Sequence, residues 1–421
     1  MYVSFRDWTK GREVATFGTN AGALELPFQA WRHFKEAFAP EIVERAVLES
    51  KVPVRSCVDP FGGSGTTGLA CQFLGVHPTL VEVNPFLADL IEAKLTSYDT
   101  NRLARDLGRV VRLAAAPCDP SAWFQSAPRT FLEPGVNGRW IFDEVVGERI
   151  AAFAGAIARL KDPTHQRFFR VLLGGILIEA SNVTVSGKGR RYRRGWEGRG
   201  RDASVIERLF CASARNAIAE VHRFGRRKQP DFTLHRGDAR TIQYERATLD
   251  LAVFSPPYPN SFDYTDVYNV ELWALGYLGG ATDNRRLRTS TLCSHVQVDR
   301  HFPKAPKGSP LLDDALAALS ARTDQLWDRR IPAMVAGYFA DLMDVLRWLR
   351  GGLRAGGSAW MVVGDSRYAD VKIRTAEILA QLSARQGWML RFCEPCRSMR
   401  LSPQQGGHHD LSETLLVLQK R

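Results

Sequence analysis

Between Val52 and about Thr96 the chain reads as strand, glycine turn, helix, strand, helix: VPVRSCVD, PFGGSGTTG, LACQFLG, TLVEV, NPFLADLIEAKL. Gly63, Gly65 and Gly68 satisfy G-x-G-x-x-G directly after the strand and at the opening of the helix, the context in which that spacing carries meaning. Such a βαβ unit belongs in a parallel sheet covered by helices, so the remaining chain must supply further strands. From about Thr100 to 230 it supplies none: the apolar spacing is helical, as in Ile150, Phe153, Ile157 and Leu160. Strand signals resume at 231–238 (DFTLHRGD), 249–258 (LDLAVFSPPY), 357–366 (GSAWMVVGDS) and 411–419 (LSETLLVLQ). A helix with apolar Met334, Tyr338, Leu342, Leu346 and Leu349 leads through the turn LRAGG into the 357 strand, a joint of the doubly wound type. The fold class expected is α/β, a doubly wound, mostly parallel sheet interrupted by a largely helical insertion.

At ~150 residues per domain, 421 residues allow two or three domains, or one large domain with insertions. Motif order divides the chain into 1–100 with the glycine turn, 101–231 as the helical insertion, and 232–421 as the rest of the sheet. Within the last part 280–330, with RRLRTSTLCSH and FPKAPKGSP, reads as an exposed, partly basic loop. A content of 45% hydrophobic and 24% charged residues excludes a disordered chain. Lys plus Arg outnumber Asp plus Glu by 57 to 45, and the net charge of +12 favours a polyanionic partner, because each neutralised phosphate releases bound counterions. Seven cysteines (Cys57, Cys71, Cys118, Cys211, Cys293, Cys393, Cys396), odd in number and thinly spread, are unlike a secreted disulfide framework and point to a reducing cytoplasm. No apolar h-region opens the chain and no run reaches the ~18 apolar residues that cross a bilayer, so neither export nor membrane insertion is expected. Cys393 and Cys396 form a lone C-x-x-C and His408 and His409 read as loop residues, so no metal is expected.

Glycines at such a turn let the backbone approach a nucleotide-like ligand, and the helix offers its positive end. A dinucleotide would set a pyrophosphate there; S-adenosylmethionine would set its methionine and ribose. Glu82, closing the second strand, can accept from ribose hydroxyls in either case.

The longer string Asp59-Pro60-Phe61-Gly62-Gly63-Ser64-Gly65-Thr66-Thr67, with Ser255-Pro256-Pro257-Tyr258 after a later apolar strand, separates the two. DPFGGSGTT resembles the cofactor motif of DNA methyltransferases that modify exocyclic amines, with Gly62 standing where that family often has cysteine. VEVNPF resembles its ribose-binding strand end, and SPPY its catalytic tetrapeptide. RHFKEAFAPEIV, with Phe34, Phe38 and Pro40, is similar to the family's N-terminal cofactor-contacting stretch, and GDAR places Asp238 where the family has an acid near the cofactor adenine. The resemblance covers about Trp31 to the C-terminus, the insertion only loosely. It implies S-adenosylmethionine as cofactor, held by Phe34, Phe38, Asp59, Phe61, Gly63, Ser64, Gly65, Thr66, Thr67, Glu82, Asn84 and Asp238. It implies catalysis by Ser255, Pro256, Pro257 and Tyr258 on a base flipped from duplex DNA, with companion restriction or defence proteins as partners.

The chemistry suits these residues. An exocyclic base amine is a poor nucleophile because its lone pair is delocalised; if the Ser255 side chain and the Pro256 carbonyl each accept one amine hydrogen, the nitrogen is drawn toward tetrahedral geometry. The prolines stiffen the loop and Tyr258 offers a ring on which the flipped base stacks. A C5-cytosine enzyme needs a thiolate nucleophile after this strand, where Tyr258 stands instead. Serine before Pro-Pro is commoner in the family's cytosine-N4 enzymes, so N4 of cytosine is the target implied. The alternatives are N6 of adenine, then an RNA base; a nicotinamide-dependent oxidoreductase leaves SPPY unexplained, and a non-catalytic DNA-binding protein leaves SPPY and Glu82 without use.

The run KGRRYRRGWEGRGR (188–201) holds seven basic residues and one acidic, half the net charge of the chain. Lys188, Arg190, Arg191, Arg193 and Arg194 are the expected phosphate contacts, with Tyr192 and Trp196 as stacking partners on a glycine-rich loop. A solvated basic surface is the plain alternative, and 280–330 the rival location for target recognition.

Overall fold

The structure, a computed structural model, describes every residue except 1, 20–21, 35–36, 187–188, 199, 201, 243 and 401–408. Seven strands, β1 (Ser56–Asp59), β2 (His77–Glu82), β3 (Thr233–Arg236), β4 (Leu249–Phe254), β5 (Leu353–Gly364), β6 (Trp388–Arg400) and β7 (His409–Lys420), form one sheet in the order β6-β7-β5-β4-β1-β2-β3. β1 to β5 pair in parallel, and β7 runs antiparallel between β5 and β6. The doubly wound, mostly parallel sheet is thus observed. Its central strands are apolar on both faces and alternate between two cores: Cys57, Leu80, Leu251, Val253, Trp360 and Val362 on one side, Val58, Val81, Ala252, Phe254, Met361 and Val363 on the other.

The first core is covered by α1 (Thr66–Leu74), α2 (Pro85–Leu95) and the four long helices that separate β2 from β3: α3 (Thr100–Ala114), α4 (Glu144–Ala158), α5 (Pro163–Ala180) and α6 (Ser204–Phe224). Asn84, Asp99 and Asp162 cap α2, α3 and α5, and proline at the first turn of α2 and α5 fits an N–H that needs no partner. Ile150, Phe153, Ile157 and Leu160 are buried, as their spacing requires. The second core is covered by α7 (Ile331–Gly352) and α8 (Thr375–Arg385).

Four local expectations are corrected. The insertion is not free of strands: Val183–Ser186 and Gly189–Tyr192 form an antiparallel hairpin whose second strand lies in the basic run. LRAGG is a bulge at the start of β5, whose register against β4 shifts between Leu249 and Leu251, rather than a turn before it. Trp388–Arg400 is a strand that carried no readable signal. The 280–330 segment contains the helices Ala281–Thr289 and Pro310–Ser320, and Leu292, Cys293, Ser294, His295 and Val296 between them are buried. Among the described residues no helix is long and apolar enough to cross a membrane.

Candidate active site

Asp59, Glu82 and Phe254 end neighbouring parallel strands at the same edge of the sheet, where the connections from β1 and β4 leave in opposite senses, and a crevice opens there. It holds a cavity of about 300 Å³, lined among others by Phe34, Phe38, Asp59, Phe61, Gly63, Ser64, Thr66, Glu82, Asn84, Asp238 and all four residues of SPPY. Gly65 and Thr67 stand one layer back and build the wall. Gly65, at φ +81°, begins α1, and the Thr67 hydroxyl donates to Asp59 Oδ2 at 2.6 Å.

Gly63, at φ +51°, makes the turn that brings its N–H to Glu82 Oε2 at 2.8 Å; a Cβ there would lie 3.0 Å from Phe34 Cζ and fill the cradle. Glu82 Oε1 accepts from the Asn84 N–H at 2.8 Å, while the Asn84 side chain caps α2. Burial pushes the Glu82 carboxyl up to about 7, against the pull of these backbone donors, and that of Asp59 up to about 6. Behind the turn, Lys94 is wholly buried and donates to the Ser64 carbonyl at 2.8 Å; burial lowers its ammonium to about 7. Phe34 stacks on Tyr268, with ring centroids 5.8 Å apart, and the segment leading to it is held by the buried Arg32–Glu271 ion pair at 2.6 Å. Asp238 reaches the cavity, but its carboxylate is also gripped by Arg240 at 2.6 Å. A nucleoside with free ribose hydroxyls fits this half: the glycine turn leaves space and a buried carboxylate faces it.

In the other half Ser255 lines the cavity and its hydroxyl donates to the Val362 carbonyl at 2.9 Å, with lone pairs on the oxygen left to accept. Tyr258 donates its phenol to Glu413 Oε1 at 2.7 Å, and burial beside that carboxylate raises its pKa well above the usual value. Tyr368 donates to the Pro259 carbonyl at 2.8 Å and fixes the chain beyond SPPY. Ser290, Thr291, Leu292, Ser294 and His295 also line the cavity. They come from the segment read as an exposed loop. It is folded inward because Arg300 donates to the carbonyls of Thr289, Thr291 and Leu292, and Arg288 Nε meets Asp263 at 2.5 Å. Lys94, Glu413 and Arg397 were not singled out from sequence; 280–330 was, as the rival location for target recognition, but as an exposed loop and with none of its residues assigned to the site.

Of the basic run, Lys188 lies outside the described residues. Gly189 packs against Asp266 of the short helix Tyr264–Val267, whose Tyr264 and Thr265 line the cavity, so the hairpin stands at its rim. Arg191 and Arg194 are exposed and Arg190 is half-buried. Arg193 is turned inward and donates to the Ile178 carbonyl at 2.8 Å. Trp196 is buried, edge-on to Trp140 at 4.7 Å and beside Tyr192 at 5.4 Å, with Arg139 over the Tyr192 ring. The expectation that Trp196 stacks on a base is corrected: its faces are spent on anchoring the hairpin. Among the described residues no group of three His, Cys, Asp or Glu is placed to hold a metal.

No family model matches the chain. It is 23% identical to the type II methyltransferase M.AvaI of Nostoc sp. over 94% of its own length and 86% of that protein. Against the type II methyltransferase M.BsoBI of Geobacillus stearothermophilus it is 20% identical, over 80% and 74%. The type II methyltransferase M.Cfr9I of Citrobacter freundii is 37% identical over 27% of the chain and 36% of the relative. The rRNA methyltransferase AviRa of Streptomyces viridochromogenes aligns over 92% of the chain and 89% of its own at 11% identity and a TM-score of 0.29, too low to bear on function. The sheet is doubly wound and mostly parallel with a crevice at its strand ends, and the chain is similar to type II methyltransferases, to M.AvaI over nearly its whole length. The matches agree with the resemblance to methyltransferases drawn from sequence, and they imply S-adenosylmethionine as the methyl donor.

Proposed function

We propose that the chain methylates an exocyclic amine of a DNA base, N4 of cytosine, with the base flipped into the SPPY half of the crevice. The observation that carries this reading is Ser255: it lines the cavity and donates to the Val362 carbonyl, which leaves an oxygen lone pair to accept from an amine. When bound, S-adenosylmethionine supplies an electrophilic methyl group. Glu82 would accept from its ribose hydroxyls, the Gly63 turn would border its methionine end, and Phe34, Phe38 and Phe61 would give its nucleoside apolar walls. Ser255 and the Pro256 carbonyl then hold the two amine hydrogens, Tyr258 takes one face of the base, and the segment 290–295 closes the cavity against water. Serine at 255 supports cytosine through the family pattern. We place the DNA duplex along the insertion, 101–231, with Arg190, Arg191 and Arg194 on its phosphates. Kinship implies the modification half of a restriction–modification pair, and seven free thiols favour the cytoplasm.

The test is Ser255→Ala. Loss of one positioned acceptor should lower single-turnover methyl transfer to DNA about 100-fold, while S-adenosylmethionine affinity changes less than about twofold. An unchanged rate would remove SPPY from the reaction.

A further inference from the structure

Tyr258 is held by more than its own loop. Its phenol donates to Glu413 of β7, and Glu413 Oε2 accepts from Arg397 Nε of the edge strand β6 at 2.7 Å. All three residues line the cavity, and the Glu413 side chain is 2% exposed. The N-terminal segment covers it: a Cβ on Gly18 would fall 1.9 Å from Glu413 Oε2, and Thr16 donates to the Cys396 carbonyl at 2.8 Å. The N-terminal segment and the β6–β7 pair therefore meet the SPPY loop around one phenol–carboxylate contact. A buried carboxylate is costly unless paired, and Leu415 and Leu416 just beyond it on β7 show that apolar side chains fill this strand readily. A charge-assisted hydrogen bond at the ring's far end stops the ring turning about its side-chain bonds, so the ordering is done before a base arrives.

We propose that Glu413, held by Arg397, is a positioning residue that fixes the Tyr258 ring as the stacking face for the target base; this rests on the reading of SPPY above. Its action is on base capture, through the phenol, and not on the cofactor.

The test is a double-mutant cycle on the full chain, with labelled S-adenosylmethionine and unmethylated genomic DNA. Tyr258→Phe, which keeps the ring and the Glu413–Arg397 pair, and Glu413→Leu should each raise the half-saturating DNA concentration about tenfold, and the double variant no further than either alone. Glu413→Gln, which keeps an acceptor oxygen, should recover most of the loss. Cofactor affinity should stay within about twofold throughout. Multiplying losses, a Gln variant as impaired as Leu, or a parallel fall in cofactor affinity would overturn the positioning role. Tyr258→Ala separates the two claims. If it leaves transfer intact, the SPPY reading falls and the inference with it; if it abolishes transfer while the cycle is multiplicative, only the positioning role falls.

Discussion

Glu82 carries the sharpest consequence at the scale of single residues. Its carboxyl is raised by burial to about 7, and only the ionised form accepts from both ribose hydroxyls. The ionised form is present above that value and lost below it, so S-adenosylmethionine affinity should fall about tenfold between pH 8 and pH 6. Calorimetric titration across that range checks it: Glu82→Gln should bind weakly with a flat profile, and a wild type as flat as the variant would take Glu82 out of the cofactor site. That the glycine turn, Glu82 and SPPY line one cavity was expected from sequence because each sits in a short motif at the end of a strand. Glu413, Arg397 and Lys94 were not. They act through contacts made only when distant segments meet, and in sequence each is an ordinary charge on an apolar strand or helix.

Among elements, the basic hairpin is where structure most changes the sequence reading. A glycine-rich run was expected to be a loop with two stacking aromatics; instead Trp196 packs on Trp140 and Arg193 is spent on the Ile178 carbonyl. Arg190, Arg191 and Arg194 are the arginines left to meet the proposed DNA, Arg191 and Arg194 exposed and Arg190 half-buried. Replacing these three by alanine should weaken DNA binding without affecting cofactor binding, and should make the slope of log affinity against log salt shallower by up to ~3, at ~0.9 per phosphate contact. A titration series in salt measures it; an unchanged slope would mark the hairpin as plain surface. The edge strand β6 escaped notice for a physical reason: Pro395 and three arginines break the alternation, yet an edge strand needs only one ladder, and its register shifts near Leu390 and Pro395 absorb the misfits. The 290–300 segment misled in the opposite way, since its polar residues read as solvent-facing, but Thr291 and Arg300 donate to backbone carbonyls of the same stretch of chain.

At the scale of the molecule the class of sheet was within reach of the sequence, because apolar runs on both faces and a βαβ opening leave few alternatives to a doubly wound sheet, whereas the order of its strands was not read, and the edge strand 388–400 carried no signal. How the four insertion helices and the hairpin sit against that sheet was not, since helical periodicity states which face is buried and not against what. Glu82, the Gly63 turn and Ser255 line one cavity, and exposed arginines stand on the hairpin near its rim; that they serve cofactor, target base and DNA respectively is the central claim. The decisive measurement is methyl transfer from labelled S-adenosylmethionine to unmethylated DNA, followed by digestion and identification of the labelled nucleoside. Label in N4-methylcytosine is the expected result. Label in N6-methyladenine would contradict the assignment of the base, and transfer to RNA but not to DNA would contradict the function proposed.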